Sequence, residues 1–329
     1  MFILGLIIGV LVTWLVMSGM ADLIISVCRG SINDQRVNGE YFTPEQWLLN
    51  TSSAPLFTWC NFGYWRNVSN YVQACMNLAG LVADEVHLVP KDNLFDAGFR
   101  SPDQLLVWAD LYQVDTIKAC GLNIWRLQLA RERCQAYPQV ELLSGNHKQL
   151  AQQEDKSIDK VIALDCVYFF SDKQVFFDNA SRVLQPRGLL GITDILLTQP
   201  LSVPWQAWLF RRFLAICRIP EENIVPEAIY KQRLDQAGFK IVNCRDITVD
   251  VLGGFCDWVQ QQTNTLKASI AIDVRLRLKI LERVLRWLIQ NNIVQYVLIA
   301  AELKATEAEH DTEQEEEVAD TTATEEDEV

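Results

Sequence analysis

Asn93-Leu94-Phe95-Asp96-Ala97-Gly98, Thr116-Ile117-Lys118-Ala119-Cys120-Gly121 and Ile158-Asp159-Lys160-Val161-Ile162-Ala163-Leu164-Asp165 are the stretches that decide the fold. Val86-His87-Leu88-Val89 opens the unit, and each of the three is a short apolar run that ends in an acid or a glycine. Between them lie helical patterns, Gln104 to Leu111 and Ile124 to Ala136, and Val140-Glu141-Leu142-Leu143 reads as a further strand. Short apolar strands alternating with helices predict a mostly parallel sheet covered on both faces. In such sheets ligands sit beyond the carboxyl ends of the strands, where the strand order reverses.

Strand order does not name a ligand; the residues at the strand ends begin to. Leu94 to Gln104 (Leu-Phe-Asp-Ala-Gly-Phe-Arg-Ser-Pro-Asp-Gln) resembles the acid-plus-glycine cofactor loop of the class I S-adenosylmethionine-dependent methyltransferases, of the small-molecule and lipid type. Asp165-Cys166-Val167-Tyr168-Phe169-Phe170 resembles that family's fourth-strand end. Ala180 to Leu190, with Arg182-Val183-Leu184-Gln185-Pro186-Arg187-Gly188, resembles its turn before the fifth strand, and Thr193-Asp194-Ile195 that strand. Phe62-Gly63-Tyr64-Trp65 is similar to an element that several such families place over the cofactor. The resemblance spans about Leu56 to Leu303 and implies a Rossmann-like methyltransferase fold with S-adenosylmethionine as cofactor. It implies cofactor contacts at Tyr64, Trp65, Asp96, Gly98, Gln104, Asn123, Asn146, His147 and Asp165, with Asp165 and Tyr168 as candidates to touch the acceptor.

The departures matter as much. The family loop is rich in glycine because bare backbone passes close to a ligand. Arg100 and Pro102 stand here where later glycines would fall. Proline removes an amide donor and arginine brings bulk and charge. Gly121-Leu122-Asn123 replaces the acid that takes the ribose hydroxyls, and Asn146 stands for the acid near the adenine amine. Two readings follow: a divergent enzyme that uses substitutes such as Asn123, or a methyltransferase-fold scaffold without catalysis at a membrane.

The formal charge of −13 is concentrated at one end. From Glu302 to Val329 there are thirteen acids and one lysine, which leaves the chain before them near neutral. No basic stripe is present, so nucleic acid is not an expected partner. Residues 305–329 lack aromatics and are expected to be a disordered acidic tail, with a basic partner as its alternative role. The nine cysteines include no CxxC pair, no metal is implied, and scattered thiols in apolar runs suit a reducing compartment.

Phe2 to Ala21 holds no charged side chain. About twenty apolar residues match the hydrocarbon core of a bilayer, so residues 1–27 are expected to form a membrane helix and 28–55 a linker. Arg29 and Arg36 follow the run, which by the positive-inside rule places the body in the cytosol, on an endomembrane such as the endoplasmic reticulum in a eukaryote. Sequons at Asn50, Asn67 and Asn179 would be the acceptors of a luminal body.

The α/β domain is expected over 56–304. Asn67 to Val82 has the spacing of a leading helix, and Ile229 to Gly238, Phe239 to Ile247, Ile272 to Ile289 and Val294 to Ala301 read as helix, strand, amphipathic helix and strand. The family would supply a hairpin-like strand pair at the end. An insertion at about 196–228 carries Trp205-Gln206-Ala207-Trp208-Leu209-Phe210-Arg211-Arg212, which suits either an interfacial helix or a buried cap. Methyl transfer from a sulfonium is an in-line displacement in which positioning carries most of the rate, so no catalytic signature is demanded. The expected function is a membrane-anchored methyltransferase acting on a small-molecule or lipid acceptor.

Overall fold

The computed structural model describes residues 49–50, 57–266 and 272–304. The expected membrane helix, most of the linker and the acidic tail lie outside the described residues. Helix α1 (Tyr71–Glu85) comes first; the Asn70 side chain caps it by accepting from Gln73 N at 2.8 Å. Then follow β1 (Asn93–Asp96), α2 (Asp103–Leu106) running into a π-helical turn at Val107–Leu111, and β2 (Thr116–Gly121). Next are α3 (Ile124–Arg133), β3 (Val140–Ser144), a 3-10 turn at His147–Gln152 and β4 (Ile158–Ala163). Helix α4 (Lys173–Val183) leads into the long β5 (Leu184–Leu197), and α5 (Pro204–Cys217) and α6 (Glu227–Gln236) precede β6 (Phe239–Asp246). A π-helical turn at Val249–Gly253, α7 (Gly254–Thr265), α8 (Ile272–Gln290) and β7 (Val294–Leu303) complete the described chain.

The seven strands form one sheet in the order β3-β2-β1-β4-β5-β7-β6. β3, β2, β1, β4 and β5 pair in parallel, and β7 lies antiparallel between β5 and β6. Alternation along the strands builds two cores, one per face. Leu94, Ala119 and Ile162 join the layer containing α1, α7 and α8; Phe95, Cys120 and Val161 join the layer containing α4 and α6. Chain order turns back between β1 and β4, which sets the ligand crevice at their carboxyl ends.

Three boundaries differ from the sequence reading. Val86 to Val89 is not a strand: His87 takes φ +50° there, and β1 begins only at Asn93. Helix α3 stops at Arg133 rather than Ala136, and β4 stops at Ala163, two residues short of Asp165. Helix α7 was not foreseen; the chain carries its helical turn straight through Gly253 and Gly254 into it. Asn50 is fully buried, with its amide donating to Trp59 O at 3.0 Å and accepting from Trp59 N at 3.1 Å. A glycan has no room on that sequon in the folded chain.

Candidate cofactor and acceptor site

The site grows from two buried acids at neighbouring strand ends. Asp96 closes β1 with no exposed surface. Its Oδ2 accepts from Gln104 Nε2 at 2.6 Å and from Trp108 Nε1 at 2.8 Å, and its Oδ1 accepts from Gly98 N at 3.1 Å. Burial pushes its carboxyl above the usual range, with the three donors pulling the other way. Asp96 and Gln104, both implied as cofactor contacts, therefore hold each other and fix the loop that turns between them.

Asp165 lies just beyond β4 at φ +53°, a conformation that aspartate tolerates better than most side chains. Its Oδ1 accepts from Tyr168 Oη and Tyr296 Oη, both at 2.8 Å, and its Oδ2 accepts from Phe62 N at 3.2 Å. The Asp165 amide itself donates to Thr193 Oγ1 on β5 at 2.8 Å. Burial raises this carboxyl too. Tyr168 and Asp165 do come together, as a saturated pair whose phenol is also pushed up by burial. A carboxylate that already accepts three donors acts as a clamp: it ties the Phe62 segment to the end of β4.

That segment is the roof of the site. Gly63 has φ +74°, and a Cβ there would meet Ala74 Cβ at 2.8 Å, so the turn requires glycine. Tyr64 N donates to Ala74 O at 2.7 Å and Trp65 N to Asp250 O at 2.8 Å. The Trp65 indole donates to Phe62 O at 2.8 Å and lies 5.6 Å from Trp258 and 6.3 Å from Tyr71, ring to ring. Trp65 thus packs toward α7, while Tyr64 stays half-buried. Phe62 meets Phe255 and Tyr296 edge-on at 5.2 and 6.2 Å.

Gly98 lies between the two acids. Its φ is not positive, and an added Cβ would meet Cys166 Sγ at 3.5 Å and Phe170 Cε1 at 4.0 Å, which are ordinary contacts. The chain itself does not demand glycine there. Phe170 continues to His147, which stacks on it at 3.9 Å with a 19° tilt. His147 is 3% exposed and neither ring nitrogen has a partner. Burial, reinforced by Lys148, lowers its pKa to about 4, so the imidazole is neutral at physiological pH. Asn146 caps the following turn by accepting from Lys148 N at 3.1 Å.

The β2 end shows why the ribose acid is missing. A Cβ at Gly121 would meet Phe99 Cζ at 2.8 Å and Leu127 Cδ2 at 3.0 Å, so the Phe99 ring fills the space beside this backbone. Asn123 caps α3, its Oδ1 accepting from Trp125 N at 2.9 Å and Arg126 N at 3.1 Å. Only its Nδ2 is left to face a ligand. Arg100, at a family glycine position, lies with its guanidinium 4.8 Å over the Phe169 ring.

Phe62, from the element expected over the cofactor, joins the site, and Trp108, Cys166, Phe170 and Tyr296 complete it without having been singled out as contacts by sequence. For Tyr296 a signal existed: a phenol inside the otherwise apolar run of β7 needs a buried partner.

Comparison with known proteins bears on the fold that carries this site. A family model described as a methyltransferase domain matches residues 91–192. Erythromycin 3''-O-methyltransferase of Saccharopolyspora erythraea is 26% identical over 221 residues, 64% of this chain and 72% of the relative. A crystal structure of a putative sarcosine dimethylglycine methyltransferase from Galdieria sulphuraria superposes with a TM-score of 0.64 at 13% identity, covering 74% of this chain and 93% of that one. Geranyl diphosphate C-methyltransferase from Streptomyces coelicolor A3(2), solved with S-adenosyl-L-homocysteine, gives 0.61 at 14% identity over 85% and 97% of the two chains. These findings support a class I S-adenosylmethionine-dependent methyltransferase, on a family match over residues 91–192 that runs from β1 into β5.

Proposed function

We propose that this protein transfers a methyl group from S-adenosylmethionine to a small-molecule or lipid acceptor, from a position tethered to a membrane by Phe2 to Ala21. The observation that carries the reading is the pairing, at the β1/β4 reversal, of a glycine the chain does not need with a histidine whose nitrogens have no partner. Gly98 leaves its backbone open to close approach, and the Asn123 Nδ2 offers a polar atom to an adenosine, while His147 is buried behind Phe170 with two ring nitrogens that have no partner. Asn123 replaces a charged ribose contact with a neutral one. Bound there, the cofactor supplies an electrophilic methyl on a sulfonium.

This chain's residues then position and exclude water. Asp165 clamps the Phe62 to Trp65 roof over the strand ends, and the ring of Phe62 narrows the space above Tyr296. Aromatic faces attract a cationic centre, so this roof suits a sulfonium. Asp165 is committed to positioning the roof: its carboxylate holds Phe62 N, Tyr168 and Tyr296, and work as a base would release them. Acceptors that need no strong base are therefore favoured. The eight cysteines among the described residues, all free, support a cytosolic body.

The rival, a non-catalytic scaffold, draws on the consumption of Asp96 within the chain and on the crowding at Gly121. The two part company in a transfer assay with methyl-labelled S-adenosylmethionine and the full chain, against a total lipid extract and a pool of hydroxyl- and amine-bearing small molecules. Label in either acceptor fraction supports the enzyme. No label in either, with no protection of the protein by S-adenosylhomocysteine, supports the scaffold.

A further inference from the structure

Helix α5 buries only Phe210 and Leu214 of its fourteen residues. Its outer side carries Trp205 at 57% exposure and Trp208 at 53%, with Val203 beside them. Among the described residues these are the two exposed tryptophans of the chain. The helix holds no acidic residue; its charges are Arg211 and Arg212, and Arg218 follows at its left-handed cap. Arg211 is bonded to Glu221 at 2.7 Å, whereas the Arg212 guanidinium lies 5.7 Å over the Trp208 ring. Trp205 rests 5.9 Å from Trp287 of α8, which holds its ring up at the surface.

We propose that this face of α5 rests on the surface of an anionic bilayer, with Trp205 and Trp208 at the headgroup level and Arg212 and Arg218 toward lipid phosphates. Amphipathic rings at an apolar boundary beside cations are the chemistry of an interfacial helix. Acid-free charge on the helix matches the negative potential of a cytoplasmic leaflet. The proposal uses the membrane tether proposed above only for reach. The 27 residues from 22 to 48 could span up to about 90 Å, enough to bring any side of the domain to the lipid, so the tether does not select a face. The α5 face does. Docked this way, the insertion after β5, whose Asn223 donates to the Tyr168 and Phe170 carbonyls of the site, lies against the lipid phase.

The test is photolabelling of the full chain by lipids that carry a diazirine in the headgroup. The protein is reconstituted in phosphatidylcholine vesicles with and without phosphatidylserine, and labelled peptides are mapped by mass spectrometry. Label on residues 203–218 is expected, several-fold stronger with phosphatidylserine, and lost in the triple variant Trp205→Ser/Trp208→Ser/Arg212→Ser. Because Trp205 touches Trp287, the milder Trp208→Ser/Arg212→Ser leaves that contact in place and should reduce the label on its own. Label confined to residues 1–48 overturns the proposal. So does an unlabelled α5 in a chain whose dimers, seen by light scattering, disappear in the triple variant, since the occupant is then a second copy. Calorimetry with S-adenosylmethionine on the same proteins keeps the two claims apart: absent binding in the parent chain sinks the methyltransferase reading and leaves the labelling result standing.

Discussion

Asp96 and Asp165 sit at the ends of adjacent strands, both are buried, and both carboxyls are raised by that burial. They are satisfied in opposite ways. Asp96 takes its donors from Gly98, Gln104 and Trp108, all within 12 residues. Asp165 takes one from Tyr168 and two from groups 103 and 131 residues away, Phe62 N and Tyr296 Oη. The first knot shapes a loop. The second is a tertiary clamp that joins the leading segment, β4 and β7, and it continues through Thr193 to the buried pair of Lys173 and Asp194 beneath.

If that second knot is the keystone, its deepest charge has the largest effect. Lys173 Nζ meets Asp194 Oδ2 at 2.5 Å and Asn223 O at 2.8 Å, with both charged side chains fully buried. Lys173→Met strands Asp194 and is expected to cost about 3–5 kcal/mol in denaturant unfolding. A loss below about 1 kcal/mol would show that the pair is dispensable. Tyr296→Phe comes next: one donor leaves Asp165, at about 1–3 kcal/mol. Amide exchange in residues 57–66 should rise in this variant, and unchanged exchange there would contradict the clamp.

The neighbouring histidine sharpens the contrast through pH. An unfolded His147 takes a proton near 6.5, but the folded one only near 4. Its contribution to stability is therefore full above 6.5 and is lost as pH falls toward about 4. The raised Asp96 and Asp165 have the reverse sign, contributing fully below the ordinary carboxylate range and losing it as pH rises through their raised values. His147→Leu should flatten the acid-side loss while leaving the opposite trend, and the His147 ring protons should not titrate by NMR above about pH 5.

The smallest effect is at Asn123. Asn123→Asp keeps the cap of α3 and restores a carboxylate near the β2 end. Stability should change by less than about 0.5 kcal/mol, and S-adenosylhomocysteine binding should tighten by about 0.5–1.5 kcal/mol. Weaker binding would place the ribose elsewhere.

The sequence disclosed whatever rests on short spacing. Alternation located β1, β2, β3 and β4 within a residue or two, and the acid-glycine loop located the Asp96 knot. Pairing across 100 residues leaves no local period, so the Phe62 and Tyr296 bonds to Asp165 stayed invisible. Trp65 was implied to face a cofactor, yet its indole turns to Phe62 O and Trp258, and Gly254 at the start of α7 leaves the room its ring takes. Asn123 was legible as a substitute polar group but not as a helix cap.

The central claim is that a cofactor enters at the β1/β4 reversal along the bare backbone of Gly98. Gly98→Val tests it most directly, because the added side chain starts from ordinary contacts and from a backbone that needs no positive φ. Calorimetry of the full chain with S-adenosylhomocysteine should give binding in the micromolar range, about −8 kcal/mol. The variant should show none while still unfolding cooperatively at a similar denaturant midpoint. Equal heats in the two proteins would place the ligand elsewhere and contradict the account.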